Sequence, residues 1–468
     1  MSNINEINKN EKREIFSSLK KFFDDYKIAF LLRVCRAEKQ KGHPAIEIFR
    51  YLLCLVFCDR SMYMQICTGR FNESFSKNTV YRFLNSARTN WEGLVRTLSE
   101  RIINLTLRCL TGSDRKDAFI IDDTLFSRTG GKKTQLCSKV FDHVTMKMKS
   151  GYRLLTVGWS DGVTFMPIEG CLLGSSAQKN IIGPRDKADG RSIAGKRRAK
   201  ALRKAPDVIV EMLKDAIKAG HKAKYVLFDT WFSTPKGIIR ITKECGLHVI
   251  AMIKKTPKVF YEFEGEKKNI KQIYGTCKKR CGRAKYLLSV VVNILEDGKP
   301  SVPARIVCVR NRNNSKDWIA FICTDMSLTE EDIISVYGKR WNIEVFFKAC
   351  KSMLRLSSEY HGLSYDALTA HVSLVFIRYM FLSVQKRLCE DERSFGELFF
   401  KMVDEIADIS FNHAIKLVTD LLLHLPVMVS SASKMVSEAR PSKAEPSTCP
   451  SMVATVPGDK RIMLPLIG

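Results

Sequence analysis

Four acidic residues at three places in this sequence could bind metal ions if the fold leaves their side chains accessible. Asp122 and Asp123 follow the apolar run FII, and Asp229 follows the apolar run YVLF. Glu344 lies among cations and aromatic residues in the segment SVYGKRWNIEVFFKACKSML. Ligands gather at strand ends in α/β sheets, and aspartate is a poor strand former. An aspartate at the end of an apolar run therefore indicates either a site or, more simply, a turn or a helix cap.

Two strand-end aspartates and one glutamate together suit two-metal-ion phosphodiester chemistry. Their oxygens could hold two Mg²⁺ ions, with Mn²⁺ as a substitute. Two such ions about 3.5–4 Å apart activate a water or a 3′-hydroxyl and stabilise the leaving oxygen. We therefore predict Asp122, Asp229 and Glu344 as catalytic residues and metal ligands. Asp123 stays open as an alternative to Asp122, because alternation along a strand sends the two neighbours to opposite faces.

The residues around Glu344 would form one polar stripe if the segment is a single helix. At about 100° per residue, Tyr337, Arg340, Glu344 and Lys351 fall within an arc of roughly 60°. Such a stripe usually faces solvent. Here, aromatic residues on and beside it favour a partly buried helix that lines a cleft. Cations and aromatic rings there would suit a DNA backbone and an unstacked base. The neighbouring candidates for DNA contacts are Trp341 and Lys348.

The overall charge supports a polyanionic partner. Lys and Arg number 77 against 49 acidic residues, for a net charge of +28. Nucleic acid is the simplest such partner, although solubility or a ribosomal or membrane surface would also explain the excess. Residues 185–204 hold nine cations and two acids, which makes them a candidate phosphate track or a plain surface loop. From this run we predict Lys196, Arg197 and Arg198 as DNA contacts.

No targeting, membrane or disulfide pattern accompanies this charge. The N-terminus is polar with mixed charges, and no apolar run approaches the roughly 20 residues that cross a bilayer. The 15 cysteines are scattered, and the pair Cys277 and Cys281 lacks a second ligand pair, so we predict reduced thiols and no zinc site. We expect a cytoplasmic protein associated with the nucleoid and not with a membrane.

The elements that must position these residues suggest an α/β protein with a helical start. Alternating apolar runs and amphipathic stretches after Asp117 predict a mixed sheet, and a strand-rich stretch interrupts it. The early segment FSKNTVYRFLNSARTNWEGLV would suit a helix-turn-helix reader of DNA or a plain helical bundle equally well. The predicted divisions are a helical DNA-binding domain at 1–115, a first core part at 116–255, a β insertion at 256–326, a last core part with C-terminal helices at 327–429, and a disordered tail at 430–468.

The chain also resembles a known family, the DDE transposases of the insertion-sequence-4 group. That group carries Tyr, two residues, Arg, three residues, Glu, six residues and Lys, and Tyr337, Arg340, Glu344 and Lys351 keep every spacing. The stretch YVLFDTWFS resembles the block that presents the second aspartate. The stretch DDT is similar to the group's Asp-x-Ser/Thr pattern, which places the first ligand at Asp122. The resemblance runs from about residue 40 to about residue 385.

The resemblance implies a ribonuclease-H-like core with a β insertion and cut-and-paste transposition. Such an enzyme binds terminal inverted repeats as a homodimer, nicks each end, forms and resolves a hairpin, and joins the 3′-hydroxyl to double-stranded target DNA. It further implies that Tyr337 and Arg340 handle the phosphate next to a flipped base and that Lys351 contacts the backbone near the cut. Trp341 would stack the displaced base or would simply be a core residue. The alternative is a related metal-dependent nuclease or a host-adopted DNA-binding derivative that no longer transposes.

Overall fold

The computed structural model describes residues 17–38, 41–58, 61–112, 114–142, 145–185, 188–281, 284–311, 314, 316–358 and 362–388. All of them fall in one compact unit, residues 1–409. The predicted tail at 430–468 and the predicted C-terminal helices beyond residue 388 lie outside the described residues.

The N-terminal part is helical, as predicted, but its helices are shorter than the sequence pattern suggests. The stretch after Pro44 is interrupted by a 3₁₀ turn at Leu55–Cys58, and nine residues, 68–76, separate the fourth and fifth helices. Ser76 precedes the fifth helix. The described residues of this part form six helices, α1 (Ser17–Asp25), α2 (Ile28–Val34), α3 (Ala45–Cys54), α4 (Met62–Cys67), α5 (Lys77–Leu84) and α6 (Trp91–Ile102).

A mixed sheet of eleven strands forms the centre of the described structure. Its order is β2-β3-β1-β5-β6-β11-β10-β9-β7-β8, with β4 paired to β3 off this path. The strands are β1 (Ala118–Ser127), β2 (Ser138–Asp142), β3 (Lys147–Ser160), β4 (Phe165–Leu173), β5 (Tyr225–Phe228), β6 (His248–Ile253), β7 (Phe260–Phe263), β8 (Glu266–Asn269), β9 (Leu288–Glu296), β10 (Lys299–Arg310) and β11 (Trp318–Cys323).

The connectivity of the first strands is that of a ribonuclease-H-like core. Strands β4, β3 and β1 form an antiparallel meander, and β1, β5 and β6 then pair in parallel. All four residues of β5 are buried, as a strand covered on both faces requires. The predicted α/β fold with a mixed sheet is therefore confirmed.

The β insertion continues this sheet. Strand β11 pairs antiparallel with β6, and β10 and β9 follow it outward. The inserted strands thus extend the core sheet beyond β6, and they do not form a separate layer.

Seven helices after β4 pack on or beside the sheet in the described residues. The crossover helix between β5 and β6 begins at Pro235, and the side chain of Thr234 caps it by accepting a hydrogen bond from the N–H of Gly237. These helices are α7 (Ile193–Ala201), α8 (Ala205–Lys218), α9 (Pro235–Cys245), α10 (Ile270–Thr276), α11 (Glu330–Gly338), α12 (Trp341–Ser352) and α13 (Tyr365–Leu388).

Helix α13 is longer and more apolar than the sequence pattern suggested. By length and composition it could cross a membrane, but its most apolar window is entirely buried inside the protein, which a central core helix also shows. Its one internal arginine, Arg378, is fully buried and donates to the carbonyl oxygens of Leu52 at 2.5 Å and Leu53 at 3.1 Å. Arg378 therefore satisfies carbonyl groups that the C-terminal end of α3 leaves without helical partners.

Candidate active site

The parallel pairing of β1 and β5 brings the two predicted aspartates together. Ile120 lies opposite Leu227 in this pairing. Extending the register by two positions sets Asp122 opposite Asp229, just where β5 has ended. Neighbouring strands lie about 4.8 Å apart, so the two carboxyl groups share one edge of the sheet.

The electrostatics of Asp122 reflect this neighbour. Burial, followed by the charge of Asp229, raises the pKa of Asp122 to about 7. Asp122 Oδ1 accepts a hydrogen bond of 2.8 Å from the backbone N–H of Asp123, and Asp229 Oδ1 accepts one of 2.8 Å from the N–H of Trp231. Two carboxylates that are held this closely favour either a shared proton or a bound cation.

Asp122 and Asp123 have different partners, which bears on the choice between them. Asp123 forms an ion pair with Arg153, with 2.5 Å between Asp123 Oδ2 and Arg153 Nε. Asp122 instead faces Arg340, with 3.4 Å between Oδ2 and Nη1. Asp122 is thus the aspartate directed toward the segment that carries Glu344.

The segment around Glu344 is two helices, and our prediction of one continuous helix is wrong. Helix α11 ends at Gly338 and α12 begins at Trp341. Between them, Lys339 Nζ donates to the carbonyl oxygens of Lys116 at 2.7 Å and Asp161 at 3.1 Å. These long-range bonds stabilise the break, which a helical period in the sequence does not reveal.

Arg340 lies at this break and joins two of the predicted ligands. Its Nη2 lies 2.5 Å from Glu344 Oε1, while its Nη1 contacts Asp122. Its guanidinium carbon is also 5.9 Å from the centre of the Tyr337 ring. The helix break therefore places Arg340 between Asp122 and Glu344.

Tyr337 borders the same group of charges. Its hydroxyl is buried and has no hydrogen-bond partner among the described residues. Burial raises the pKa of Tyr337, and the charges of Asp229 and Asp122 act in the same direction, while Arg340 opposes them. A buried hydroxyl without a partner leaves a polar group unsatisfied beside two carboxylates, which is uncommon away from functional sites.

The donor set fits a divalent cation at the aspartate pair. Asp122 and Asp229 supply carboxylate oxygens at one sheet edge, and oxygen is the ligand that Mg²⁺ and Mn²⁺ prefer. Within the described residues, however, no three histidine, cysteine, aspartate or glutamate side chains converge on one metal position. Glu344 reaches the pair only through Arg340, so the arrangement in this structure is a carboxylate pair with an arginine-linked third carboxylate.

The remaining predicted residues of α12 lie along the same helix. Lys351 Nζ donates to Thr124 Oγ1 on β1 at 2.5 Å. Lys348 is exposed. Trp341 is 57% exposed, so the interpretation as a core tryptophan is wrong.

The predicted basic track divides into an exposed and a buried part. Lys196 is exposed, but Arg197 is only 4% exposed. Arg197 pairs with Glu92 at 2.8 Å and with Asp366 at 2.7 Å, and it donates to the carbonyl oxygen of Thr89.

Arg198 takes part in the same cluster. It contacts Asp366 at 2.7 Å and the side-chain oxygen of Gln135 at 3.0 Å. Both guanidinium groups are therefore engaged inside the protein, where they link α7 to α13. Their placement argues against the phosphate contacts that we predicted for Arg197 and Arg198.

Two features at the site were missed in the sequence. Thr124 holds Lys351; the Asp-x-Thr pattern placed the first ligand at Asp122 but assigned no role to its threonine. Trp231 is 45% exposed, with Arg153 and Lys254 each 4.8 Å from its ring centre. Its position two residues after Asp229 was a signal, but the two cations come from β3 and from the residue after β6, which are distant in sequence.

The chain is similar to a known protein family and to a solved structure. Residues 50–291, just over half of the chain, match the family described as DDE superfamily endonuclease. The match includes Asp122 and Asp229 and ends before Glu344. A search of curated proteins finds no significant relative.

Among solved structures, a piggyBac transposase synaptic complex with hairpin DNA is similar, with a TM-score of 0.43 and 12% identity over 93% of this chain and 88% of that one. Similarity at this level is too low to support an inference by itself. The family match covers the strands that carry both aspartates, and the chain therefore belongs to the DDE superfamily endonucleases.

Proposed function

We propose that this protein is a DNA transposase of the insertion-sequence-4 group that cuts and joins DNA by two-metal-ion chemistry. The observation that carries the proposal is the convergence of Asp122 and Asp229 at one sheet edge, facing the helix of Glu344. Membership of the DDE superfamily endonucleases supports the nuclease part. The spacing of Tyr337, Arg340, Glu344 and Lys351 supports the finer assignment.

Asp122 and Asp229 would hold the divalent cation in this mechanism, and Glu344 would complete the ligand set. Mg²⁺, when bound, supplies activation of the attacking hydroxyl and stabilisation of the leaving oxygen. Asp122 lies on β1 and Asp229 directly follows β5, so the parallel pairing of these strands holds the two residues side by side. A pair held in this way would offer preplaced carboxylate oxygens to the cation.

The other residues of the site would bind and orient the DNA strand. Arg340 and the buried hydroxyl of Tyr337 would hold phosphate oxygens, since guanidinium groups suit phosphate geometry. Lys351, held by Thr124, would contact the backbone beside the cut. Exposed Trp341 offers a face to an unpaired base.

Two further exposed lysines would contact DNA. Lys348 lies on α12 and Lys196 lies on α7. The net charge of +28 fits a partner that is double-stranded DNA, both as terminal inverted repeats and as target. We further propose a homodimer in the end-paired complex and a cytoplasmic, nucleoid-associated location without membrane contact.

Cleavage of a labelled duplex tests the proposal. The duplex carries the inverted repeats that flank the gene, and the assay compares wild type with Asp229→Asn in Mg²⁺ and in Mn²⁺. We expect cutting at the repeat boundary by the wild type only, with a hairpin product if the second strand follows that route. Specific binding without cutting in either metal would contradict the proposal and favour a DNA-binding derivative. Cutting without strand joining would favour a nuclease.

A further inference from the structure

Arg340 has an unusual position for a residue expected to bind phosphate. Its side chain is only 14% exposed, and the guanidinium contacts Asp122 at 3.4 Å and Glu344 at 2.5 Å. Both contacts are to carboxylates that the proposed function assigns to a divalent cation. The same two side chains therefore have two possible cationic partners.

A guanidinium and a divalent cation cannot share these carboxylates without cost. Each metal–oxygen bond is about 2.0–2.6 Å long and uses the carboxylate lone pairs that now accept hydrogen bonds from Arg340. A guanidinium also keeps its charge at any ordinary pH, so it cannot give way by losing a proton. Two cations held between the same carboxylates would repel each other at short range.

We propose that Arg340 is the internal counter-ion of Asp122 and Glu344 and competes with the divalent cation for them. Cation binding then displaces the guanidinium from between the two carboxylates. On the proposed function, on which this last step rests, the displaced guanidinium becomes available to a phosphate. Arg340 would thus be free to bind a phosphate only after the metal ion has bound.

The helix break makes this displacement physically simple. Arg340 lies between α11 and α12, while Glu344 lies within α12. The guanidinium can therefore leave by side-chain rotation while the carboxylates stay on β1 and α12. Tyr337 offers a nearby aromatic ring, 5.9 Å away, that can keep contact with the moving group.

Mn²⁺ binding to the full chain without DNA tests the competition, measured by isothermal titration calorimetry. Arg340→Gln keeps a similar side-chain shape but removes the charge, and we expect it to bind Mn²⁺ about tenfold more tightly than wild type. Arg340→Lys keeps a charge and is expected to stay within about threefold of wild type. Unchanged or weaker binding by Arg340→Gln would overturn the proposal.

The matched control is Arg153→Gln. Arg153 pairs with Asp123, the neighbour of Asp122 along β1, so its removal lowers the local positive charge by the same amount. We expect its Mn²⁺ affinity to stay close to that of the wild type. An equal gain in both variants would show a general charge effect and overturn the assignment to Arg340.

A double variant and a check of folding separate the competition from misfolding and from DNA cleavage. Asp229→Asn in the Arg340→Gln background should lose the gain in affinity, and circular dichroism checks that each variant is folded. If the wild type never cuts DNA but Arg340→Gln still tightens Mn²⁺ binding, the proposed function fails and the competition stands. If no variant binds Mn²⁺, the competition fails.

Discussion

Lys351 Nζ on α12 donates a hydrogen bond of 2.5 Å to Thr124 Oγ1 on β1, two residues beyond Asp122. Because side chains alternate along a strand, Asp122 and Thr124 lie on the same face of β1. Arg340 contacts the first of these positions and Lys351 contacts the second. The segment from Arg340 to Lys351 therefore contacts one face of β1 at two positions, the carboxylate of Asp122 and the hydroxyl of Thr124.

Thr124→Val should weaken DNA cleavage by roughly three- to tenfold, as expected for the loss of one hydrogen bond to a charged group. Valine keeps the shape of threonine, but Lys351 loses the acceptor that orients it. Thr124→Ser keeps the hydroxyl and should restore cleavage to near the wild-type rate. In a double-mutant cycle, Thr124→Val should add little to Lys351→Ala. Fully additive losses would show that the two residues act separately.

Asp122→Asn, Asp229→Asn and Glu344→Gln should each abolish strand cleavage while sparing binding to the DNA ends. The expected loss exceeds roughly 100-fold, since even groups that only support metal ligands cost 10–100-fold. Asp123→Asn is the matched control, because Asp123 pairs with Arg153, and it should keep most of the activity. An active Asp122→Asn with an inactive Asp123→Asn would exchange the two assignments. Gel assays of binding and cleavage on the same duplex measure both.

Arg197→Ala should destabilise the fold by about 3 kcal/mol, because it removes the arginine partner of Glu92 and leaves buried Asp366 paired with Arg198 alone. The affected carboxylates are Glu92 on α6 and Asp366 on α13. Lys196→Ala, the exposed neighbour on α7, should change stability by no more than about 0.5 kcal/mol. Denaturant unfolding of the two variants gives the comparison. A stable Arg197→Ala protein with weakened DNA binding would instead support the phosphate contact that we first predicted for Arg197.

Acid should destabilise the protein partly through His221. Burial lowers the pKa of His221 to about 4, and its ring nitrogens contact the carbonyl oxygen of Ala216 and the hydroxyl of Ser99. The unfolded chain takes up a proton near pH 6.5 and the folded one does not, so stability falls as the pH drops from about 6.5 towards 4. The loss from this residue is about 2 kcal/mol between pH 7 and pH 5. In His221→Gln, unfolding free energies at these two pH values should differ by about 2 kcal/mol less than in wild type, and an equal difference would exclude His221.

The sequence was a good guide to the strands and to the aspartate pair. When two neighbouring strands are parallel, their carboxyl ends lie at the same side of the sheet, so an aspartate that follows one strand lies close to residues of the other. Asp229 follows the last residue of β5 as predicted, but the strand-end prediction is wrong for Asp122, because β1 continues to Ser127. Asp122 lies beside Asp229 because it comes just after the part of β1 that pairs with β5. The β insertion was also visible, but not its pairing with β6, because pairing partners distant in sequence leave no local signal.

The polar contacts of the site were harder to anticipate. The 3.6-residue period runs through the segment of Tyr337 and Glu344 without interruption, and the helix break depends on Lys339 and two distant carbonyl groups. Charge alone likewise could not distinguish exposed Lys196 from buried Arg197, which lie side by side in one basic run. In both cases the deciding partners are distant along the chain, at Asp161 and Asp366.

The pairing of β11 with β6 means that the chain leaves the core, builds its outer strands, and returns beside the strand from which it departed. The returning strand leads directly into α11 and α12, which deliver Arg340 and Glu344. A shortened protein without the insertion would expose β6 as a bare sheet edge, a surface that invites association between copies. The insertion thus supports the helices that carry Arg340 and Glu344, and we expect that it cannot be removed without disturbing them.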